Sequence, residues 1–267
     1  MNFLRHYLLA VQFFTRIPVT GKLAQWVGYS PAMLRASAAH FPGVGWLVGA
    51  MVAGASALLF MSLPPSAYVP LVVAVLGTAA GVWLTGAFHE DGLSDFVDGM
   101  GGGYTREKIL AIMKDSHVGA YGVIAIVLAL LLKYQALLAL SGSHSLAYVF
   151  AALIAAHAIS RLMAVSIIMT QQYVRDDDTA RAKLVAQGLS KASFAIAVLT
   201  GGASVALLFV AGIAWASIVS ALAIALLLRI YLGWQMQKKL GGYTGDCLGA
   251  VQQITEIGFY LGLLLSW

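Results

Sequence analysis

The chain has 267 residues, 60% hydrophobic and only 10% charged, against about 25% charged in an ordinary globular domain. With a mean hydropathy of +0.85, this composition excludes a water-soluble fold and implies an all-α, polytopic membrane bundle forming one domain over 1–267. The net charge of +5 fits the Lys/Arg bias of membrane proteins and calls for no nucleic-acid partner, and the single Cys247 excludes an intrachain disulfide.

The opening stretch "NFLRHYLLAVQFFTRIPV" lacks a small-residue cleavage site and carries charges inside its apolar run. It reads as an amphipathic helix lying on the membrane or packed within the bundle. A span needs ~20 mostly apolar residues, and seven segments qualify: 37–62, 66–88, 119–140, 145–170, 193–212, 215–233 and 248–266. The links 63–65, 141–144 and 213–214 hold no Asp, Glu, Lys or Arg. The basic residues, from Arg5 and Arg16 through Lys238 and Lys239, fall on the other side, which marks it as cytoplasmic. The amino terminus and the loops 89–118, 171–192 and 234–247 are therefore expected inside, and seven spans would put the carboxyl terminus outside. Chemistry-capable residues crowd one face. That favours an enzyme acting on cytosolic, polar substrates over a transporter, which needs polar access from both faces.

"FHEDGLSDFVDGMGGGY", residues 88–104, places four carboxylates between Glu90 and Asp98. At 100° per residue, Asp91, Asp95 and Asp98 share a helical face within roughly 60° of arc, with Glu90 and His89 off it. Such carboxylates repel unless a cation joins them, and oxygen ligands suit a hard ion, Mg²⁺ or Mn²⁺. Gly92 and Gly99 on or beside that face would let a phosphate approach, and Gly101 to Gly103 would end the helix. The bland alternative is a solvated acidic loop.

In "YTREKILAIMKDSHVG", Thr105 caps a short helix whose Ile109, Leu110, Ile112 and Met113 form an apolar arc. Returning beside the cluster, it would bring Asp115 as a fourth metal ligand and Lys114 as a phosphate partner. Lys133 and Arg161 fall deep in predicted spans and need partners, with Glu256 a candidate. Arg229 lies near a span end and can snorkel. In "YVRDDDTARAKLVAQGLS", Asp178 or Thr179 can cap a helix over 180–187, and Arg175 and Lys183 are nucleotide-phosphate candidates. "GGYTGDCLGAVQQITE" offers a glycine-rich turn with Gly242, Thr244 and Asp246 at a helix amino terminus, Asp246 at the N-cap, suited to an anion. Below it Gly249, Gln252, Gln253 and Glu256 continue a polar stripe into the membrane. Either substrate contact or helix–helix hydrogen bonding explains that stripe.

A hard-metal carboxylate site without a P-loop points to phosphoryl-type transfer on a nucleotide-diphosphate-linked molecule. "FHEDGLSDFVDG", "IMKDSHVGAYG", "RDDD" and "GGYTGDCLGA", in that order and with "FFTRIPV" and "FPGVGWLVG", resemble the signatures of the cobalamin synthase family, the adenosylcobinamide-GDP ribazoletransferases. The resemblance runs from residue 13 to about 256. It implies a Mg²⁺-dependent inner-membrane enzyme of late vitamin B12 assembly, with its active site facing the cytoplasm. A ribose hydroxyl of α-ribazole, or of its 5′-phosphate, attacks the corrinoid-linked phosphate of adenosylcobinamide-GDP, and GMP leaves. On that reading Asp91, Asp95 and Asp98 hold metal, with Asp115 added, while Lys114 and the Gly242–Asp246 turn steady phosphates. Oligomeric state is left open.

Two other readings remain at this point. Asp95, Asp98 and Gly99 match the D-x-x-D-G opening of CDP-alcohol phosphotransferases, but Gly102 and Gly103 replace its Ala-Arg and Asp115 has no aspartate four residues on. A cation-coupled transporter would use Lys133, Arg161 and Glu256.

Overall fold

The computed structural model describes residues 2–143, 145–175 and 188–265, which are almost wholly helical. Helix α1 (Asn2–Phe14) buries Leu9, Ala10, Val11 and Phe14 against the bundle, so the opening stretch is a packed amphipathic helix. Short helices α2 (Gly21–Val27) and α3 (Pro31–Ser37) follow. Ser30 Oγ caps α3 by accepting from Met33 N, with Pro31 at the first helical position. A 3₁₀ turn then leads into α4 (Phe41–Ser62). The remaining elements are α5 (Val69–Thr85), α6 (Phe88–Gly102), α7 (Arg106–Lys114), α8 (Ala120–Ser143), α9 (Leu146–Thr170), α10 (Lys191–Val210), α11 (Trp215–Leu240) and α12 (Gly245–Leu263). The expected helix over 180–187, with Asp178, Thr179 and Lys183, lies outside the described residues.

Five stretches are long and apolar enough to cross a membrane: Pro31–Ser62, Ala120–Gly142, Leu146–Thr170, Lys191–Val210 and Trp215–Leu240. A sixth counts only if α5 and α6 are taken together across an 88° bend. The expectation of seven spans is revised in two places. The 66–88 segment stops at Thr85, because Gly86 (φ 69°) and Ala87 (φ 59°) are both left-handed, and two such residues in succession end one helix and re-aim the next. Helix α6 thereby carries its carboxylates away from the α5 axis. The 248–266 segment is helical as far as Leu263, within α12, and at about 1.5 Å per residue that helix is long enough to span, but its polar stripe keeps it out of the apolar set. It still crosses the bundle: Ser217 Oγ at the start of α11 donates to Leu265 O at the far end of α12, 3.1 Å.

Helices α9 and α12 form the centre. Helix α4 meets α9 through Gly45 and Gly49, where an added Cβ would lie 2.3 Å from His157 O and 2.7 Å from Ile154 Cα. Small residues four apart permit this backbone-to-backbone crossing in a membrane. On the outside of α8, Val123, Ile124, Val127, Leu128, Leu131 and Leu132 are exposed, as a lipid-facing surface requires.

Charge is buried at the centre and paired there. Glu256 is fully buried. Its Oε1 lies 2.6 Å from Lys133 Nζ, and its Oε2 lies 3.3 Å from His157 Nδ1. Gln252 Nε2 donates to Glu256 Oε2 at 2.5 Å and to Ser160 Oγ at 3.1 Å. Arg161 Nη1 donates to His157 O at 3.0 Å, and its guanidinium lies over the Phe41 ring. Of the two cations for which Glu256 is a candidate partner, Lys133 is the one that pairs with it. Arg229 is half-buried and donates from Nε to Ser166 Oγ at 2.7 Å and from Nη2 to Thr170 Oγ1 at the end of α9, tying α11 to α9.

Removing one partner of a buried pair leaves an uncompensated charge, at a cost of about 3–5 kcal/mol. Glu256→Ala is therefore expected to lower the thermal unfolding midpoint of the detergent-purified protein sharply. Pairing it with Lys133→Met should recover part of the loss. An unchanged midpoint in Glu256→Ala would remove this network from the account of stability.

Candidate carboxylate site

The three polar loops meet at one end of the bundle. Tyr173 and Tyr243 form a parallel bridge, with Tyr243 N donating to Gln172 O (2.9 Å) and Val174 N to Tyr243 O (3.0 Å). Arg175 Nη2 donates to Met113 O (3.1 Å), and Lys239 Nζ to Met100 O (2.9 Å). Helix α7 is capped as expected, Thr105 Oγ1 accepting from Lys108 N, and it buries Ile109 and Met113 against α6.

The acidic face of α6 passes from solvent into protein along its length. Asp91 is exposed, Asp95 half-buried and Asp98 buried. Asp98 accepts from Gly119 N (Oδ2, 2.7 Å) and Gly122 N (Oδ1, 2.9 Å). Both its oxygens thus hold the amino-terminal end of α8, a fixed charge on otherwise orphaned donors. Asp91 and Asp95 face a different carboxylate, Asp246. Burial pushes Asp95 up to about 7, and the charges of Asp246 and Asp91 push the same way; Arg175 opposes them and Asp98 adds to them. Asp246 Oδ2 lies 3.4 Å from Arg175 Nη1 and accepts from Thr244 Oγ1 at 3.3 Å. The arrangement is a group of three carboxylates, Asp91, Asp95 and Asp246, with one guanidinium beside it.

Several expectations change in this geometry. Asp246 is not the N-cap of α12; Thr244 is, its Oγ1 accepting from Cys247 N. The acid sits one residue inside the helix, where the positive end still favours it. Gly92 does not make room for a phosphate. An added Cβ there would lie 3.0 Å from Asp246 O and 3.2 Å from Gly249 Cα, and one on Gly249 would lie 3.2 Å from Gly92 Cα. Gly99 packs on Met113 and Ile109. Gly242 lies close against the bridged segment, where an added Cβ would fall 2.1 Å from Gln172 O. Asp115 ends α7 as an exposed carboxylate bound by its neighbour, His117 Nδ1 at 2.6 Å and His117 N at 3.0 Å. Lys114 is exposed beside it. His89 is buried, stacked on Phe41 with ring centroids 5.6 Å apart, and is off the acidic face. Glu90 is also off that face, accepting from Gln253 Nε2 at 2.9 Å.

The role of Asp246 as third carboxylate is the one that sequence reasoning missed. Its signal was the pair of small residues near the acids: Gly92 follows Asp91, and Gly249 lies one turn beyond Asp246. Among the described residues no three His, Cys, Asp or Glu side chains already stand in metal-holding geometry. A caged ion is not what this donor set suits. Mg²⁺ binds through one or two carboxylates, keeps several waters and takes substrate phosphate oxygens, and three mutually repelling, partly exposed aspartates fit that demand.

Comparison with known proteins agrees with the motifs. A family model described as cobalamin-5-phosphate synthase matches residues 6–264. The chain is 50% identical to an adenosylcobinamide-GDP ribazoletransferase of Polaromonas naphthalenivorans, covering 100% of this chain and 99% of the relative. It is 50% identical to one of Albidiferax ferrireducens, covering 99% of each, and 45% identical to one of Ralstonia nicotianae, covering 98% and 95%. No solved structure matches. The chain belongs to the cobalamin-5-phosphate synthase family.

Proposed function

We propose that this chain is an adenosylcobinamide-GDP ribazoletransferase whose reaction centre is Asp91, Asp95 and Asp246, with Arg175 beside them. The family and its relatives carry the activity. The observation that carries the site is the convergence of three carboxylates from α6 and α12 where the three polar loops meet. A ribose hydroxyl of α-ribazole, or of its 5′-phosphate, attacks the corrinoid-linked phosphorus. A new P–O bond forms, the anhydride bond to GMP breaks, and the hydroxyl proton passes to a carboxylate. Bound Mg²⁺ would neutralise charge on the diphosphate and the departing phosphate. Asp91, Asp95 and Asp246 would hold it. Arg175 fixes Asp246 from one side and Met113 O from the other, so it orients the carboxylate more than it meets the substrate. Lys114, at the exposed end of α7, would meet phosphate in this reading. The Lys/Arg distribution supports a cytoplasmic setting for this end of the bundle, and the family resemblance supports an inner-membrane one.

Purified protein in liposomes, given adenosylcobinamide-GDP, α-ribazole and Mg²⁺, is expected to release GMP; no GMP would sink the reading. Asp91→Asn should abolish release with an unchanged unfolding midpoint, because Asp91 is exposed. Asp98→Ala should instead destabilise the protein, by about 1–3 kcal/mol, because it strands two backbone donors at the start of α8. The reverse pattern would exchange their roles.

The raised Asp95 also sets a pH dependence. Below about 7 its carboxyl holds a proton, which Mg²⁺ must displace. Apparent Mg²⁺ affinity is therefore expected to fall as pH drops through about 7. Asp95→Asn should bind Mg²⁺ more weakly and lose that dependence. A wild-type affinity flat across this range would remove Asp95 from the ion's ligands.

A further inference from the structure

We propose that the lateral groove between α5 and α8 binds an anionic glycerophospholipid, its phosphate on Arg16 and one acyl chain between the two helices. The groove has a volume of about 820 Å³, and Val75, Val82, Trp83, Val127, Leu131 and Tyr134 are among its walls. No acidic residue lines it, and Arg16 is its only charged one. The walls face the membrane: Trp83 is 68% exposed and Leu131 54%. Here exposure means contact with acyl chains, because α8 is a spanning helix.

Arg16 is fixed at one end of this apolar trough. Its backbone N donates to Leu84 O at 2.8 Å. Its side chain lies over Gly86, where an added Cβ would sit 2.6 Å from Nε. The guanidinium is exposed and makes no hydrogen bond or ion pair among the described residues. A guanidinium is the side chain best matched to a phosphate diester, and at a membrane surface one basic residue favours an anionic lipid by about 1 kcal/mol, roughly five-fold in affinity. From Gly86 back to Val75 the groove follows α5 for about 17 Å at ~1.5 Å per residue, close to half the ~30 Å hydrocarbon thickness. One acyl chain fits that length with its headgroup at Arg16. The carboxylates face Asp246 and Arg175, so this site is separate from the reaction centre and does not depend on the assigned activity. It braces the Gly86–Ala87 bend that aims α6.

The test is native mass spectrometry of the detergent-purified full chain, offered phosphatidylglycerol and phosphatidylcholine in equal amounts. The wild type is expected to retain phosphatidylglycerol about five-fold better. Arg16→Gln should retain the two lipids equally, Arg16→Lys should keep a preference, and Lys22→Gln, a basic residue outside the groove, should behave as wild type. Ala79→Trp, which fills the trough from its exposed wall, should lower retention of phosphatidylglycerol. Unfolding midpoints confirm that each variant is folded. Equal retention of both lipids by the wild type, or a preference untouched by Arg16→Gln, overturns the proposal. So does a dimer that Ala79→Trp splits, since the groove would then seat a second copy of the chain.

Discussion

Asp91 and Asp95 reach Asp246 because α6 and α12 cross with their backbones almost touching at Gly92 and Gly249. A side chain at either position would be tighter than an ordinary contact against backbone on the facing helix, 3.0–3.2 Å at its closest. The crossing brings like charges together, which opposes folding, so it has to be held from elsewhere. The hold is internal. Glu90, next to Asp91 on α6, accepts from Gln253; Gln253 also donates to Gln252, and Gln252 donates to Glu256. Glu256 is anchored in turn by Lys133 and lies beside His157. A polar chain down the middle of an apolar bundle thus sets the register of the helix pair that carries the reactive acids.

This explains an otherwise costly feature. Burying two cations and two carboxylates at membrane depth disfavours the fold unless each is paired. Here Lys133 and Glu256 pair directly, Arg161 is held by His157 O and the Phe41 ring, and Glu90 by Gln253, which ties α6 to α12. The same logic distinguishes the two kinds of acid on α6. Asp98 is satisfied by backbone donors at the start of α8 and acts as a structural anchor. Asp91 and Asp95 accept from no such donors among the described residues and remain as a repelling group that a hard cation and a phosphate-bearing substrate would complete.

Much of this was legible in the sequence, and what was not has a common cause. The long helices, the convergence of the described parts of loops 89–118, 171–192 and 234–247, the Thr105 cap and the need of a buried cation for Glu256 all follow from local pattern or from the cost of an unpaired intramembrane charge. Helical register also placed Asp91, Asp95 and Asp98 on one arc correctly. Register cannot say which neighbour each part of the arc meets. Asp98 met α8, and Asp91 and Asp95 met α12. Gly92 and Gly99 looked like room for a ligand and proved to be close packing contacts, Gly92 on the α12 backbone and Gly99 on Met113 and Ile109 of α7, a choice decided only by the facing segment. The α5–α6 bend was hidden because Ala87 gives no sign that it adopts a left-handed backbone, so a single apolar run looked like one span.

Asp246, rather than Asp98 or Asp115, would complete the cation site with Asp91 and Asp95. Mn²⁺ in place of Mg²⁺ allows bound ion to be counted by electron paramagnetic resonance in the purified protein. Asp246→Asn is expected to lose bound Mn²⁺, while Asp115→Asn keeps it. Retention of bound Mn²⁺ in Asp246→Asn together with its loss in Asp115→Asn would contradict the account.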